Sequence, residues 1–441
     1  MSYIEKIKNR IDKFGFFSTI KFITKLIIKK IKFALIITNY RIKQNLILDM
    51  GGGRKTKPGK LYIVAAVDTE GPSLTDKNKS WDDIDLEISN LMSPSFRNTF
   101  KDSFNSPLII SWFIIDWVDL KNNSRNLQLG YHKNRNLQLG YHKIFDYYKK
   151  IFLNKNIWGD EVYWHYHHLR SNVIWNKPVD WNKNKLYEDI LNRKIIDRNF
   201  FPPCFRAGAT FENNDVSRWL EKWVPFDFSN NSPFLDSSGD IFDWSKAPTD
   251  WGVYHPSLKN YQKTGKMKRT IARCINTENK KWFTQKEVEK AFLRANNGKD
   301  TILSFFSHDN KNLQHYFVYA LSLVKKISKK FPDVKYEFVS AKNAMQKVLK
   351  ISETKELKLK VSVKKQFLFV TSNHQIFGEQ PYLVLKDTKN NIYCHDKLHK
   401  IGKNKWEYRL KKFKNQIIGV AASDKAGNTS VVLLKQGGSD Y

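Results

Sequence analysis

The chain has 441 residues, of which 41% are hydrophobic and 14% aromatic, and carries a formal net charge of +33. Single cores stop growing at roughly 250–300 residues, so two or three domains are expected, and this much apolar side chain excludes a disordered polymer. The basic excess is mostly Lys spread along the chain with no DNA- or RNA-reading motif, so no nucleic-acid partner is expected, and a polyanionic surface or a plain solvated face are the two readings of the charge.

Residues 1–60 hold 15 Lys/Arg against 3 Asp/Glu. Lys21, Lys25, Lys29 and Lys32 recur at helical spacing and share a face, while Phe22, Ile23, Leu26, Ile27, Ile31, Leu35 and Ile36 fill much of the remaining circumference. The longest uncharged run, Phe33–Tyr40, falls far short of the roughly 20 residues a spanning helix needs. Residues 1–50 are therefore expected to form a basic amphipathic helix on an anionic membrane, the alternative being a helix packed on the body with its lysines outward. The glycines of residues 51–59 read as a linker. No secretory signal opens the chain, and Cys204, Cys274 and Cys394 form no C-x-x-C pair, so the expected location is cytoplasmic, peripheral to the inner face of the membrane.

From residue 60 to 352, apolar strand-like runs alternate with helical ones, the pattern of a (β/α) barrel. Strands are expected at Leu61–Val67, Leu108–Ile115, Val162–His167, Cys204–Ala207 and Thr301–Ser307, and helices at Lys143–Phe152, Lys185–Asp197, Asp215–Trp223, Gln285–Asn296, Leu313–Phe331 and Ala341–Leu349. The segment RNLQLGYHK occurs twice, at Arg125–Lys133 and Arg135–Lys143, a tandem duplication that reads as an enlarged loop. Residues 353–441 change to short β runs separated by turn clusters, as in an immunoglobulin-like β-sandwich accessory domain.

Polar clusters gather where the barrel strands end. Asp68 and Glu70 follow the first strand at i and i+2, on one side of an extended chain, where like charges repel unless a cation or proton is shared. Trp164-His165-Tyr166-His167-His168 holds three of the eleven histidines; His165 and His167 share a face, and imidazole with carboxylate suits Zn or a similar divalent ion. Phe205-Arg206-Ala207-Gly208 lies on another strand, Asp227 follows a helix, and Ser307-His308-Asp309 closes the last strand with a candidate acid or base.

In order and spacing, these five clusters resemble the five motifs of the NodB-homology polysaccharide deacetylases, carbohydrate esterase family 4, over roughly residues 60–350. Two features depart from that family's pattern: position 169 is Leu where H-x-x-x-H would place a second histidine, and Gly208 stands where a proline is usual. The chain thus looks like a divergent branch, similar to deacetylase-like proteins of bacterial surface-polysaccharide gene sets. The resemblance implies a distorted barrel of about seven strands and a hydrolase that removes acetyl groups, in particular N-acetyl, from a surface polysaccharide or its precursor. It implies a divalent metal, Zn foremost, held by Glu70, His165 and His167. It gives Asp68 the role of general base oriented by Arg206, and His308 that of general acid, with Asp227 or Asp309 fixing its tautomer. A catalytically inactive barrel serving as a glycan-binding or assembly module, and a two-carboxylate glycoside hydrolase, are the rival readings.

Overall fold

The computed structural model describes residues 8, 11–12, 15–49, 57–69, 81–117, 145–146, 148–150, 158–167, 186–234, 243–351, 355–389, 392–410 and 416–435. The duplicated RNLQLGYHK segments, half of the expected Lys143–Phe152 helix, Glu70 and His168 lie outside them.

A long helix α1 (Phe16–Asp49) precedes the barrel. The barrel strands are β1 (Leu61–Thr69), β2 (Ile110–Trp117), β3 (Glu161–His167), β4 (Cys204–Ala207) and β5 (Phe226–Asn230), then, after a small hairpin of β6 (Pro256–Ser257) and β7 (Asn260–Thr264), β8 (Thr270–Arg273), β9 (Ile275–Asn276), β10 (Thr301–His308) and β11 (Tyr336–Phe338). Between them run α2 (Trp81–Met92), α3 (Pro94–Thr99), α4 (Leu186–Arg198), α5 (Asn214–Leu220), α6 (Gln285–Asn296), α7 (Leu313–Ser328) and α8 (Ala341–Val348). The strand order is β8-β5-β4-β3-β2-β1-β10-β9, with β11 also on β1 and every pairing parallel. The two outermost strands, β8 and β9, are separated in the chain by Cys274 alone, so the sheet comes round to a nearly closed barrel.

β1 shows why these runs become strands. All nine residues, LYIVAAVDT, are buried, as a parallel strand covered on both faces requires. Leu61, Ile63, Ala65 and Val67 face the outer core beneath the helices, with Ile88, Phe292 and Phe317. Tyr62, Val64 and Ala66 face the interior, where Phe113, Tyr163, Cys204, Phe228, Ala272 and Phe306 fill the barrel. Ala341, Ala344 and Met345 of α8 pack into the same cluster. The Ala341 amide donates to Ser111 Oγ (2.9 Å) near the start of β2, which places α8 at the N-terminal end of the barrel. The other end is left for chemistry.

A buried ion pair fixes the second strand. Asp160 accepts from Arg97 Nη1 (2.9 Å) and Nη2 (2.5 Å), from the Ile110 amide (2.9 Å) and from Trp112 Nε1 (2.8 Å), so every carboxylate oxygen in this dry place is satisfied. Gly59, expected in a flexible linker, is fastened instead: its amide donates to the Ala295 carbonyl (2.8 Å), and a Cβ there would meet the Lys299 carbonyl carbon at 2.5 Å.

The C-terminal residues form a sandwich of two antiparallel sheets, β12-β13-β17-β16 and β15-β14-β18-β19. These are β12 (Leu359–Lys364), β13 (Phe367–Ser372), β14 (Tyr382–Asp387), β15 (Ile392–Asp396), β16 (His399–Gly402), β17 (Lys405–Arg409), β18 (Gln416–Ser423) and β19 (Thr429–Lys435). Leu368, Val370 and Trp406 of one sheet meet Leu383, Ile418 and Val420 of the other. The outer face of β14 and β18 packs on the barrel through Tyr382, Val384 and Ala421 against Tyr187, Ile195 and Trp223. Tyr382 donates to Asn192 Oδ1 (2.9 Å) and Ser423 Oγ to the Trp223 carbonyl (2.7 Å).

Candidate active site

Alternation along the strands decides which polar groups meet. On β1, β3, β4 and β10 the interior-facing residues Ala66, Tyr163, Cys204 and Phe306 are each followed two positions later by Asp68, His165, Arg206 and His308. Since strand side chains repeat every second residue, these four groups stand on the interior side at the C-terminal end. Asp68 and His308 are also register partners across β1 and β10.

Asp68 is 2% exposed and Arg206 fully buried. Arg206 Nε donates to both carboxylate oxygens, at 2.8 and 2.7 Å, and Nη1 to the Phe228 carbonyl at 2.6 Å. The guanidinium lies 3.5 Å from the centre of the Phe306 ring, so an aromatic face covers the part of the cation that the carboxylate does not. Burial of the carboxylate is thus offset by an adjacent cation held from three sides.

His165, 1% exposed, has Nδ1 at 3.0 Å from the Arg206 carbonyl and Nε2 at 4.0 Å from Asp68 Oδ2. A carbonyl can only accept, so Nδ1 donates to it, which turns Nε2 toward the carboxylate. This is how a protein prepares an imidazole to ligate a metal. His167 ends β3 two residues further along; its side chain, like Glu70 and His168, lies outside the described residues. Among the described residues no group of three His, Cys, Asp or Glu side chains is arranged to hold a metal. The donors that are described, one prepared imidazole beside a carboxylate, fit a divalent ion in their chemistry.

His308 is backed by a residue that sequence reasoning missed. Glu278 Oε1 accepts from His308 Nδ1 (2.7 Å), the His308 amide (2.8 Å) and Ser307 Oγ (2.9 Å). Burial alone would raise the Glu278 carboxyl, but the neighbouring His308 charge and these three hydrogen bonds outweigh it and hold the group down at about 2. An ionised carboxylate on Nδ1 fixes the tautomer and orients Nε2 for proton transfer.

The expectation that Asp227 or Asp309 plays this part is therefore corrected: the carboxylate on Nδ1 is Glu278. Asp227 falls between the interior residues Phe226 and Phe228, so alternation turns it away from the barrel interior. There it pairs with Arg269 and accepts from the Ser229 amide (2.5 Å). Arg269 also binds Glu212 (2.5 Å) and Ser217 Oγ (2.7 Å). With one cation between two buried carboxylates, Glu212 is raised to about 8, by burial first, with Asp227 adding repulsion and Arg269 only partly opposing them. Asp309 is fully buried next to His308, its amide 3.4 Å from the Asp68 carbonyl. Of the expected residues, then, Asp68, Arg206, His165 and His308 are brought together, and Asp227 is not.

A cavity of about 580 Å³ adjoins the His308–Glu278 pair, lined by Asn276, Glu278, Lys280, Trp282, His315 and Tyr316 among others. Trp282 stacks on Phe234 with ring centres 4.3 Å apart, which holds an indole at the rim.

No family model matches the chain, and no curated protein matches it. Among solved structures it is similar to an engineered protein, at 10% identity over 86% of this chain and 93% of that one, with a TM-score of 0.23, too low to bear on fold or function.

Proposed function

We propose that the protein is a metal-dependent carbohydrate deacetylase, a hydrolase of C–N bonds other than peptide bonds, which releases acetate from N-acetyl groups of a bacterial surface polysaccharide or its precursor on the cytoplasmic side of the membrane. The observation that carries this reading is the pairing of two oppositely prepared groups at neighbouring strand ends of the barrel. Asp68 is fixed by Arg206, and His308 is backed by the ionised Glu278. The resemblance of the five clusters to the NodB-homology deacetylases supports the same assignment. The three cysteines are free, with Cys204 and Cys274 buried, as suits a reducing compartment.

In this reading water attacks the acetyl carbon and the C–N bond breaks, so that one water and one acetamide give acetate and an amine. Asp68 takes the proton from the attacking water, and Arg206 keeps the carboxylate oriented while it does so. His308 delivers a proton from Nε2 to the departing nitrogen, and Glu278 stabilises the imidazolium before transfer. His165, with Glu70 and His167, would hold the divalent ion, Zn foremost. When bound, that ion supplies a Lewis acid at the scissile carbonyl and acidifies the attacking water. The cavity beside His308, with Trp282 at its rim, offers an aromatic face to a sugar ring.

Two measurements test this. Purified protein should contain about one equivalent of a divalent transition metal and lose it in His165→Ala; metal content unchanged by that substitution would remove the ligand assignment. Loaded protein should release acetate from an N-acetylglucosamine oligosaccharide, and no release from N- or O-acetylated glycans would refute the activity.

A further inference from the structure

α1 has two apolar faces. One is spent on the protein: Phe33 and Ile37 pack against the outer core, and Thr19, on the same side of the helix, is 1% exposed. Tyr40, also on that side, reaches a buried ionic cluster. Its hydroxyl contacts Glu287 and accepts from Arg273 Nη2 and Lys290 Nζ, both at 3.1 Å. Among the described residues nothing covers the other face: Phe17 is 85% exposed, Ile28 60%, Leu35 58%, Ile31 55% and Ile27 53%. At 3.6 residues per turn these five side chains, with Ile20, fall within a sector of about 120° on the side opposite Tyr40.

Basic residues border that sector on both sides. Lys21, Lys25 and Lys32 lie along one flank and Lys30 and Arg41 along the other, and all five are exposed. No helix among the described residues is long and apolar enough to cross a membrane. A helix of 34 residues, about 50 Å long, with an apolar sector between two basic margins has the layout of one lying in the plane of a lipid interface. A second copy of the chain is the poorer occupant, because facing two such helices would set lysine rows against each other.

The fastening point gives the mount a direction. Glu287 stands in the first turn of α6, the helix entered from the C-terminal end of β9, so the Tyr40–Glu287 contact lies toward the barrel end that carries Asp68 and His308. At the other end of α6 the Gly59 amide meets the Ala295 carbonyl. We infer that α1 is an in-plane mount which inserts its outer face into an anionic bilayer and holds the open end of the barrel beside the lipid headgroups. Resting on the deacetylase reading, this assigns the substrate to membrane-attached glycan rather than free polymer.

The test uses the full chain with vesicles of phosphatidylcholine alone and with about a third phosphatidylglycerol. Co-sedimentation is expected with the anionic vesicles and to be lost in Ile27→Glu/Ile31→Glu, both exposed positions whose change leaves the fold intact by circular dichroism. Lys21→Gln/Lys25→Gln/Lys32→Gln should weaken binding roughly a hundredfold, about fivefold for each charge near an anionic surface. Equal binding to neutral vesicles, or no binding, overturns the proposal. So does a dimer that the Ile27/Ile31 variant dissociates. Acetate release from a soluble oligosaccharide should be unchanged in the Ile27/Ile31 variant, and release from a lipid-linked acetylated sugar in vesicles should fall. Loss of both activities in the wild type would refute the deacetylase while leaving vesicle binding to stand by itself.

Discussion

Replacing Glu278 by Gln removes the negative charge from His308 Nδ1 while keeping the shape and one acceptor oxygen. The carboxyl is held at about 2 against a usual value of 4.5, and at 1.36 kcal/mol for each tenfold change that difference amounts to about 3 kcal/mol. Because the folded value lies below the unfolded one, this stabilisation is fully present above pH 4.5 and is lost as pH falls through about 2. Glu278→Gln should therefore be less stable than wild type by about 3 kcal/mol at pH 6, and the gap should shrink to roughly 1 kcal/mol at pH 3. The same lost charge destabilises the imidazolium, so acetate release should fall roughly a hundredfold and the alkaline limb of its pH profile should move to lower pH. Urea unfolding at the two pH values and kcat/KM across pH read both effects. An unmoved alkaline limb would refute the role given to Glu278, and a stability gap that does not narrow in acid would refute the electrostatic account.

Asp68→Asn should lower acetate release by about 10² to 10⁴ while the strands remain by circular dichroism; near-normal turnover would exclude it as the base. Asp160→Asn sets an amide against the buried Arg97 and should cost about 3–5 kcal/mol in chemical unfolding, far from the site. Gly419→Val should loosen the sandwich from the barrel, since even a Cβ would stand 2.8 Å from Ile196 Cδ1 and Val384 Cγ1. Overpacking of that kind costs about 1–3 kcal/mol, and calorimetry should show the sandwich melting ahead of the barrel.

The strands that build the site were legible because each is a continuous apolar run ending in a polar residue, as in Leu61–Thr69 and Thr301–His308. The same alternation is the basis for expecting Asp68 with Glu70, and His165 with His167, on one face, though Glu70 and the His167 side chain lie outside the described residues. What escaped is what depends on long-range contact. Glu278 sits 30 residues before His308, just past the two-residue strand β9, too short a run to register as a strand. Asp227 was misjudged because β5, five residues with Phe226 and Phe228 facing inward, was not read as a strand, so the outward direction of its second member could not be drawn. For α1 the expected amphipathic helix already grouped Ile27, Ile31 and Leu35 with Phe22 and Ile36 on one broad apolar circumference; the division into a docked side and an outer side depends on the packing of Phe33, Ile37 and Tyr40.

Seen as charges, the site end explains why two arginines are buried within it. Among the described residues Arg206 pairs with the carboxylate of Asp68, and Arg269 is shared by Asp227 and Glu212. Arg269, Asp227 and Glu212 form a second cage beside the first pair, in which burial pushes the Glu212 carboxyl up and Arg269 opposes it. The link between the two cages is structural: Asp227 accepts from the Ser229 amide, and Ser229 Oγ accepts from the Ala207 amide, next to Arg206. Asp227 thereby fixes the strand end that carries Arg206 without touching the reacting atoms, which gives it a positioning role on the outer side of the barrel wall. In the proposed reaction the positive charge at the reacting atoms would come from His308 when protonated and from a cation held by His165 beside Asp68, with Lys280 lining the adjoining cavity. A neutral acetamide needs that charge where its carbonyl and its leaving nitrogen become polar, and nowhere else.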